Sequence, residues 1–341
     1  MIPHRRRVLR LAAYAESLPG PEHFQLVEER IPALGEGQVL LRTDWLGMDP
    51  FPRLRMSGDA SRAPQLPLGS PMIGRGVGQV IASRHAGYAE GAWLTGEIGW
   101  QDHVVVDPAV LAPVDLAPGD VRLSLSVLGP TGLAAWCALN ITGRAQAGET
   151  VLISAAAGGV GSLLTQLALA QGCQVLAIGG GPAQLAYLHD ELGLATVLDY
   201  TSARSMRDQL QAAGQPVDLF FDLVGGQIFD AGIEQLALLG RAVLLGTVSD
   251  YNRPAGAADV GPRPNLQIIL KRCQISGFLL SDHATRFPEA LADLSTRVRE
   301  GKLVARERIV EGLENAPLAF AGLFGAEFIG KQLVHVGNAG P

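Results

Sequence analysis

The chain has 341 residues, 48% hydrophobic and 18% charged, which is too long for one ordinary core and too apolar for a disordered chain. A formal net charge of −6 argues against nucleic acid or an anionic membrane surface as the main partner. No apolar run reaches the roughly 18 residues that cross a bilayer, and Arg10 interrupts the short apolar stretch after Arg5-Arg6-Arg7, so neither a span nor a secretory leader is expected.

The first third reads as short strands and loops. Residues 38–42, 76–81 and 103–106 are strand-like, with Pro64, Pro67, Pro71 and Gly74 punctuating the chain between them. A small β-rich domain is the expectation, spanning residues 1–120 and completed by residues 300–341. The pattern changes near Val121. Leu128-Gly129-Pro130-Thr131-Gly132 leads into an apolar helix, and from Thr150 the order becomes strand, Gly-rich turn, helix, repeated. Apolar strands are expected at 151–154, 174–178, 196–198, 217–223, 242–246 and 275–280. Near-continuous apolar strands alternating with helices predict a parallel sheet covered on both faces, so residues 121–299 read as a doubly wound α/β domain.

The central motif is Ser154-Ala155-Ala156-Ala157-Gly158-Gly159-Val160-Gly161-Ser162, between a buried strand and a helix. On a G-x-G-x-x-G template, Ala156, Gly158 and Gly161 take the three key positions. Gly158 lets the backbone approach a pyrophosphate, Gly161 lets helix and strand pack closely, and the helix N-terminus presents free N–H groups to the phosphates. A nicotinamide dinucleotide site of the Rossmann type follows. After the second strand, Ile178-Gly179-Gly180-Gly181-Pro182 has no acid to repel a 2′-phosphate, which favours NADPH over NADH.

These residues resemble a known family. The chain is similar to the zinc-independent medium-chain dehydrogenase/reductases of the leukotriene B4 dehydrogenase, prostaglandin reductase and curcumin reductase type, from about Val8 to Val336. The resemblance rests on Asp49-Pro50-Phe51-Pro52-Arg53, Gly99-Trp100, Leu128 to Leu133, the Gly-rich turn, Ser249-Asp250-Tyr251-Asn252, Gly312 to Pro317 and Gly330-Lys331. It implies a GroES-like substrate domain beside the Rossmann domain, NADPH as cofactor, and reduction of the C=C bond of an α,β-unsaturated ketone or aldehyde without a metal. Where zinc-dependent relatives carry a Gly-His-Glu motif, this chain reads Pro71-Met72-Ile73-Gly74-Arg75-Gly76. Its three scattered cysteines, Cys137, Cys173 and Cys273, fit reduced thiols in the cytoplasm and make no four-cysteine zinc lobe.

Carried over residue by residue, the resemblance implies that Gly158, Gly159, Val160, Gly161 and Ser162 hold the pyrophosphate. Gly180, Gln184 and Tyr200 would lie at the adenosine end, with Gln184 replacing the family's lysine for the 2′-phosphate. A lysine restored at Gln184 is then expected to tighten NADPH. Leu223, Gly246, Thr247, Val248 and Tyr251 would follow the ribose and nicotinamide, and Gly277, Phe278, Leu279 and Phe328 would line the nicotinamide pocket. Phe51 and Tyr251 belong to the substrate pocket; Phe51 and Phe328 replace the family's Tyr and Asn.

Hydride addition to an enone builds negative charge on its oxygen, which calls for a donor aimed there. Tyr251 follows an apolar strand at the edge where such sheets place ligands, and its phenol, ordinary pKa about 10, is a neutral donor at pH 7. It is the expected catalytic residue. A zinc-free carbonyl or quinone reductase remains an alternative on the same scaffold, as does a nucleotide-binding protein without turnover. The strand at 275–280 is expected at the sheet edge, and similar proteins pair this edge, so a homodimer is expected.

Overall fold

The structure is a computed structural model that describes residues 3–117, 119–254, 256–257 and 260–337. The chain divides into two compact units: one of residues 1–126, 307–324 and 332–341, the other of residues 127–306 and 325–331.

The first unit opens with β1 (Arg5–Leu11), paired antiparallel with β2 (Phe24–Arg30). Next come β3 (Val39–Gly47), a 3-10 helix over Phe51–Met56, β4 (Arg75–Ser83), β5 (Trp93–Glu97), β6 (His103–Val106) and β7 (Leu111–Pro113). β3 and β4 approach so closely that a side chain at Gly78 would overlap the Arg42 carbonyl, which explains a glycine in mid-strand. Buried positions such as Leu41, Val80, Leu94 and Val104 line one core with Trp100, whose ring lies 5.5 Å from those of both Phe24 and Phe320.

The second unit begins with α1 (Pro130–Cys137) and β8 (Thr150–Ile153), then α2 (Gly159–Ala170), β9 (Gln174–Gly179), α3 (Gly181–Ala186) and β10 (Thr196–Asp199). α4 (Met206–Ala213), β11 (Val217–Asp222), α5 (Gly226–Gln235), β12 (Leu236–Leu244), α6 (Val248–Tyr251), α7 (Asn265–Lys271), β13 (Gln274–Gly277) and α8 (Phe287–Arg299) complete it. Its sheet runs β10-β9-β8-β11-β12-β13, parallel throughout. Val151, Leu152 and Ile153 are wholly buried, as are Leu219, Phe220 and Phe221 on the next strand, because helices cover both faces. The chain leaves β8 toward β9 and returns on the other side as β11, so the strand order reverses between β8 and β11. Ligands of such sheets bind in the crevice beyond the carboxyl ends at that point.

The last strand is shorter than the sequence pattern predicts. β13 stops at Gly277, and Leu280–Arg286 winds into a 3-10 helix. Ser281 and Asp282 supply the short polar side chains that favour turns over strands. The chain then returns to the first unit through β14 (Glu307–Glu311), α9 (Ala316–Gly322) and β15 (Lys331–His335), where β15 pairs antiparallel with β3, Leu333 opposite Gly47. No helix among the described residues is long and apolar enough to cross a membrane.

Candidate functional site

The expected cofactor residues gather at the carboxyl edge of the parallel sheet. β8 ends at Ile153, and the turn after it delivers Gly158 as the extended N-cap of α2. The turn is tight: Ala155 takes a positive φ of 46°, the Gly158 N–H donates to the Ala155 carbonyl at 2.9 Å, and the Ala156 N–H donates to the Ile178 carbonyl at 2.9 Å. The glycines differ in what they permit. A side chain at Gly161 would overlap the Ala155 carbonyl, so this glycine serves helix–turn packing. At Gly158 a Cβ would meet only the Ala155 oxygen, 3.2 Å away, and at Gly159 its nearest neighbours are 3.3 and 3.5 Å away. Those are tight contacts rather than overlaps, and Gly158, Gly159 and Val160 stay partly exposed, so a phosphate can approach the N–H groups of the helix start. A pyrophosphate fits this cradle.

Ser162 is buried and spent on its own helix: its N–H donates to the Gly158 carbonyl at 2.9 Å and its hydroxyl to the Gly159 carbonyl at 3.4 Å, so the structure leaves it no free donor for the cradle. The Gly330 N–H donates to the Ala157 carbonyl at 2.8 Å and fastens the 325–331 segment beside the turn. Gly330 takes φ +72°, and a side chain there would overlap the Arg306 carbonyl. No local pattern calls for this glycine, because a lone Gly-Lys pair carries no geometric signal.

At the expected adenosine end, the Tyr200 ring covers the turn after β9, where a Cβ at Gly180 would overlap it. The Tyr200 N–H donates to the Gly179 carbonyl at 3.0 Å. Burial raises the Tyr200 phenol pKa, and the Asp199 carboxylate adds to the rise. Gln184 is 7% exposed and spent on the protein itself: Oε1 accepts the Gly180 N–H at 2.9 Å, and Nε2 donates to the Phe328 carbonyl at 2.8 Å. It acts as a neutral strut between the β9 turn and the 325–331 segment. Phe328 is itself buried, at 8% exposure.

The nicotinamide-side candidates follow β11, β12 and β13. Leu223 donates its N–H to Ser154 Oγ at 2.8 Å, and the Gly246 N–H reaches the Asp222 carbonyl at 3.3 Å. Thr247 precedes α6, the short turn that carries Val248 and the half-buried Tyr251. Asp250, beside Tyr251, pairs with Arg253 at 3.3 Å. Beyond the open Gly277, Phe278 stacks on His283 with ring centres 5.1 Å apart, and Leu279 is 63% exposed.

Phe51 belongs to the first unit. It is 55% exposed and lines a cavity of about 420 Å³ with Asp49, Arg55, Ile73, Arg75 and Trp100. In the stretch that carries metal ligands in zinc-dependent relatives, Met72 is wholly buried, and a side chain at Gly74 would press on the Trp100 indole nitrogen. Among the described residues, no group of three or more His, Cys, Asp or Glu is placed to hold a metal ion. Burial raises the pKa of all three cysteine thiols, which form no disulfide, so none has the lowered pKa of a reactive thiolate.

Sequence reasoning missed Asp222. It ends the apolar strand β11, is wholly buried, and accepts hydrogen bonds from Ser154 Oγ at 2.7 Å, the Val224 N–H at 3.1 Å and the Gly225 N–H at 2.9 Å. Burial pushes its pKa up, the three donors oppose the rise, and the net displacement is upward. The available signal was an acid closing Val217-Asp218-Leu219-Phe220-Phe221-Asp222, at the strand end where solvent-facing residues are not expected.

Two family profiles match the chain: an N-terminal domain of oxidoreductase over residues 7–114 and a zinc-binding dehydrogenase over residues 159–296. The chain is 34% identical over 339 residues to the NADPH-dependent curcumin reductase of Escherichia coli (strain K12), covering 97% of each protein. It is 32% identical over 329 residues to prostaglandin reductase 1 of Mus musculus, covering 95% of this chain and 97% of the relative. The crystal structure of CurA in complex with NADPH from Vibrio vulnificus matches with a TM-score of 0.91 at 34% identity, over 97% of this chain and 99% of that one.

Proposed function

The chain belongs to the zinc-independent medium-chain dehydrogenase/reductases, in the branch of the curcumin and prostaglandin reductases, and on that premise we propose that it is an NADPH-dependent reductase of the C=C bond of α,β-unsaturated ketones and aldehydes. The observation that carries the reading is the partly exposed Gly-rich turn at Gly158 and Gly159, set at the reversal of strand order in a chain that matches an NADPH-dependent curcumin reductase over its full length.

NADPH, when bound, supplies the hydride. The residues of the chain bind, orient and move the proton. The start of α2, from Gly159 to Gly161, offers backbone N–H groups to the pyrophosphate, the Gly158 and Ser162 N–H groups being spent on the Ala155 and Gly158 carbonyls, and the Tyr200 ring with Gly180 bounds the adenosine end. Leu223, Gly246 to Val248, Gly277 to Leu279 and Phe328 surround the nicotinamide half. Tyr251 donates its phenolic hydrogen bond to the substrate oxygen, where negative charge grows as the β-carbon is reduced. Phe51 gives the conjugated substrate an apolar contact.

In this reading the enzyme works in the cytoplasm as a homodimer. Support for the dimer comes from β13, at the edge of its sheet with Ile275 41% exposed, and from Leu266, Ile269 and Leu270 on α7, each at least 60% exposed. An open strand edge beside exposed apolar side chains invites a second copy.

The function is tested by following NADPH oxidation with a panel of enones, enals, quinones and saturated ketones, and identifying the products. Turnover of enones and enals to saturated carbonyls is expected. Turnover confined to quinones or saturated ketones overturns the proposal.

A further inference from the structure

Asp222 and Ser154 face each other across the place where the strand order reverses, at the ends of β11 and β8. Both are 0% exposed and joined by a 2.7 Å hydrogen bond from the Ser154 hydroxyl to the Asp222 carboxylate. The same carboxylate accepts the Val224 and Gly225 N–H groups, while Ser154 Oγ accepts the Leu223 N–H at 2.8 Å. Two residues thus fix the whole turn that follows β11. That turn is in turn the anchor for the segment leading to Tyr251. The Val224 carbonyl accepts both the Ser249 N–H at 2.9 Å and the Ser249 hydroxyl at 2.7 Å, and the Asp222 carbonyl accepts the Leu245 N–H at 2.7 Å.

A buried carboxylate is costly to keep unless donors surround it. Here the donors, Ser154 Oγ and the Val224 and Gly225 N–H groups, belong to turns at the carboxyl edge of the sheet rather than to a strand ladder. The bonds run from the Gly-rich turn after β8, through Asp222, to Val224 and on to Ser249, two residues before Tyr251. A shift at either end is therefore felt at the other.

We infer that Asp222 is a positioning residue that holds the cofactor turn at Ser154 and the Ser249–Tyr251 segment in one register across the strand-order reversal. The inference rests on the reading of this edge as the NADPH site. Ser249 passes the constraint only toward Tyr251, whereas Asp222 touches both sides, and that asymmetry makes the role measurable.

The test uses the full chain, with NADPH affinity measured by fluorescence titration and kcat and KM measured on an enone, alongside the thermal midpoint of each variant. Asp222→Asn places an amide N–H against a backbone donor, and is expected to weaken NADPH about tenfold and lower kcat about tenfold. Ser249→Ala is expected to keep NADPH affinity within about twofold of native while lowering kcat several-fold. A purely structural role would lower the thermal midpoints without that split. If Asp222→Asn does not fold, Ser154→Ala replaces it, with NADPH affinity and kcat both expected to fall several-fold. Native affinity and native kcat in the folded variant at either position 222 or 154 overturn the inference, as does a Ser249→Ala variant with unchanged kcat. A native chain that binds no NADPH overturns the functional proposal itself, and that result appears before any variant is made.

Discussion

Gln184 Oε1 accepts the Gly180 N–H at 2.9 Å, and that bond turns inward the side chain expected to replace the family's phosphate-binding lysine. From sequence, Gln184→Lys is expected to tighten NADPH. The structure adds a cost. The variant gives up the bonds to Gly180 and to Phe328, about 1 kcal/mol each, and must carry an ammonium out of a site only 7% exposed. A lower thermal midpoint is expected, with a gain in NADPH affinity over NADH of less than about tenfold. Paired titrations with both cofactors check this, and a gain near a hundredfold would show that position 184 already points at the phosphate.

The glycines of the cradle should separate by role. Gly161→Ala forces a methyl into the Ala155 carbonyl, so destabilisation of about 1–3 kcal/mol is expected, read as a lower midpoint in urea. Gly159→Ala brings its methyl to 3.3 Å of Thr131 Cγ2, a tight contact rather than an overlap, so a smaller loss of stability than for Gly161→Ala is expected while the methyl crowds the cofactor turn. NADPH titration of the folded Gly159→Ala protein is expected to show a loss of at least about tenfold. Native affinity there would move the pyrophosphate elsewhere.

Much of this site was legible in the sequence because it depends on local rules. A Gly-rich turn between an apolar strand and a helix is a short-range pattern, and it lands at residues 154–162 where expected. The covered parallel sheet was equally readable from apolar strands such as 217–222. What escaped was long-range. Nothing near Asp222 in sequence says that Ser154 will stand 2.7 Å away, since parallel neighbours are joined by distant segments of chain. Gln184 could be read as a missing charge, but its partner Phe328 lies 144 residues on. The strand expected at 275–280 ended at Gly277 because an apolar run does not by itself fix where a turn begins.

The edge strand gives a prediction about assembly. Ile275→Lys puts a charge on the open edge of β13, where Ile275 is 41% exposed. Sedimentation at micromolar concentration is expected to show a dimer for the native chain and a monomer for the variant. A native monomer would contradict the proposed pairing.

Tyr251→Phe removes the phenolic hydroxyl and keeps the ring, so NADPH affinity should survive. The donor acts on charge that develops in the transition state, and kcat and kcat/KM on an enone are therefore expected to fall together with little change in KM. Loss of one such donor costs about 10²–10³ in rate in a dry site, and the lower end is expected for a half-buried residue. Stopped-flow single turnovers, which isolate the hydride step, check this. An unchanged rate there would leave Tyr251 a packing residue.

Where the hydride goes decides the central claim. NADPH deuterated at C4 of the nicotinamide, incubated with the chain and an acyclic enone, gives a product whose label position can be read by NMR. The account predicts a saturated ketone with deuterium on the former β-carbon and the carbonyl intact. An allylic alcohol with deuterium on the carbinol carbon would contradict it.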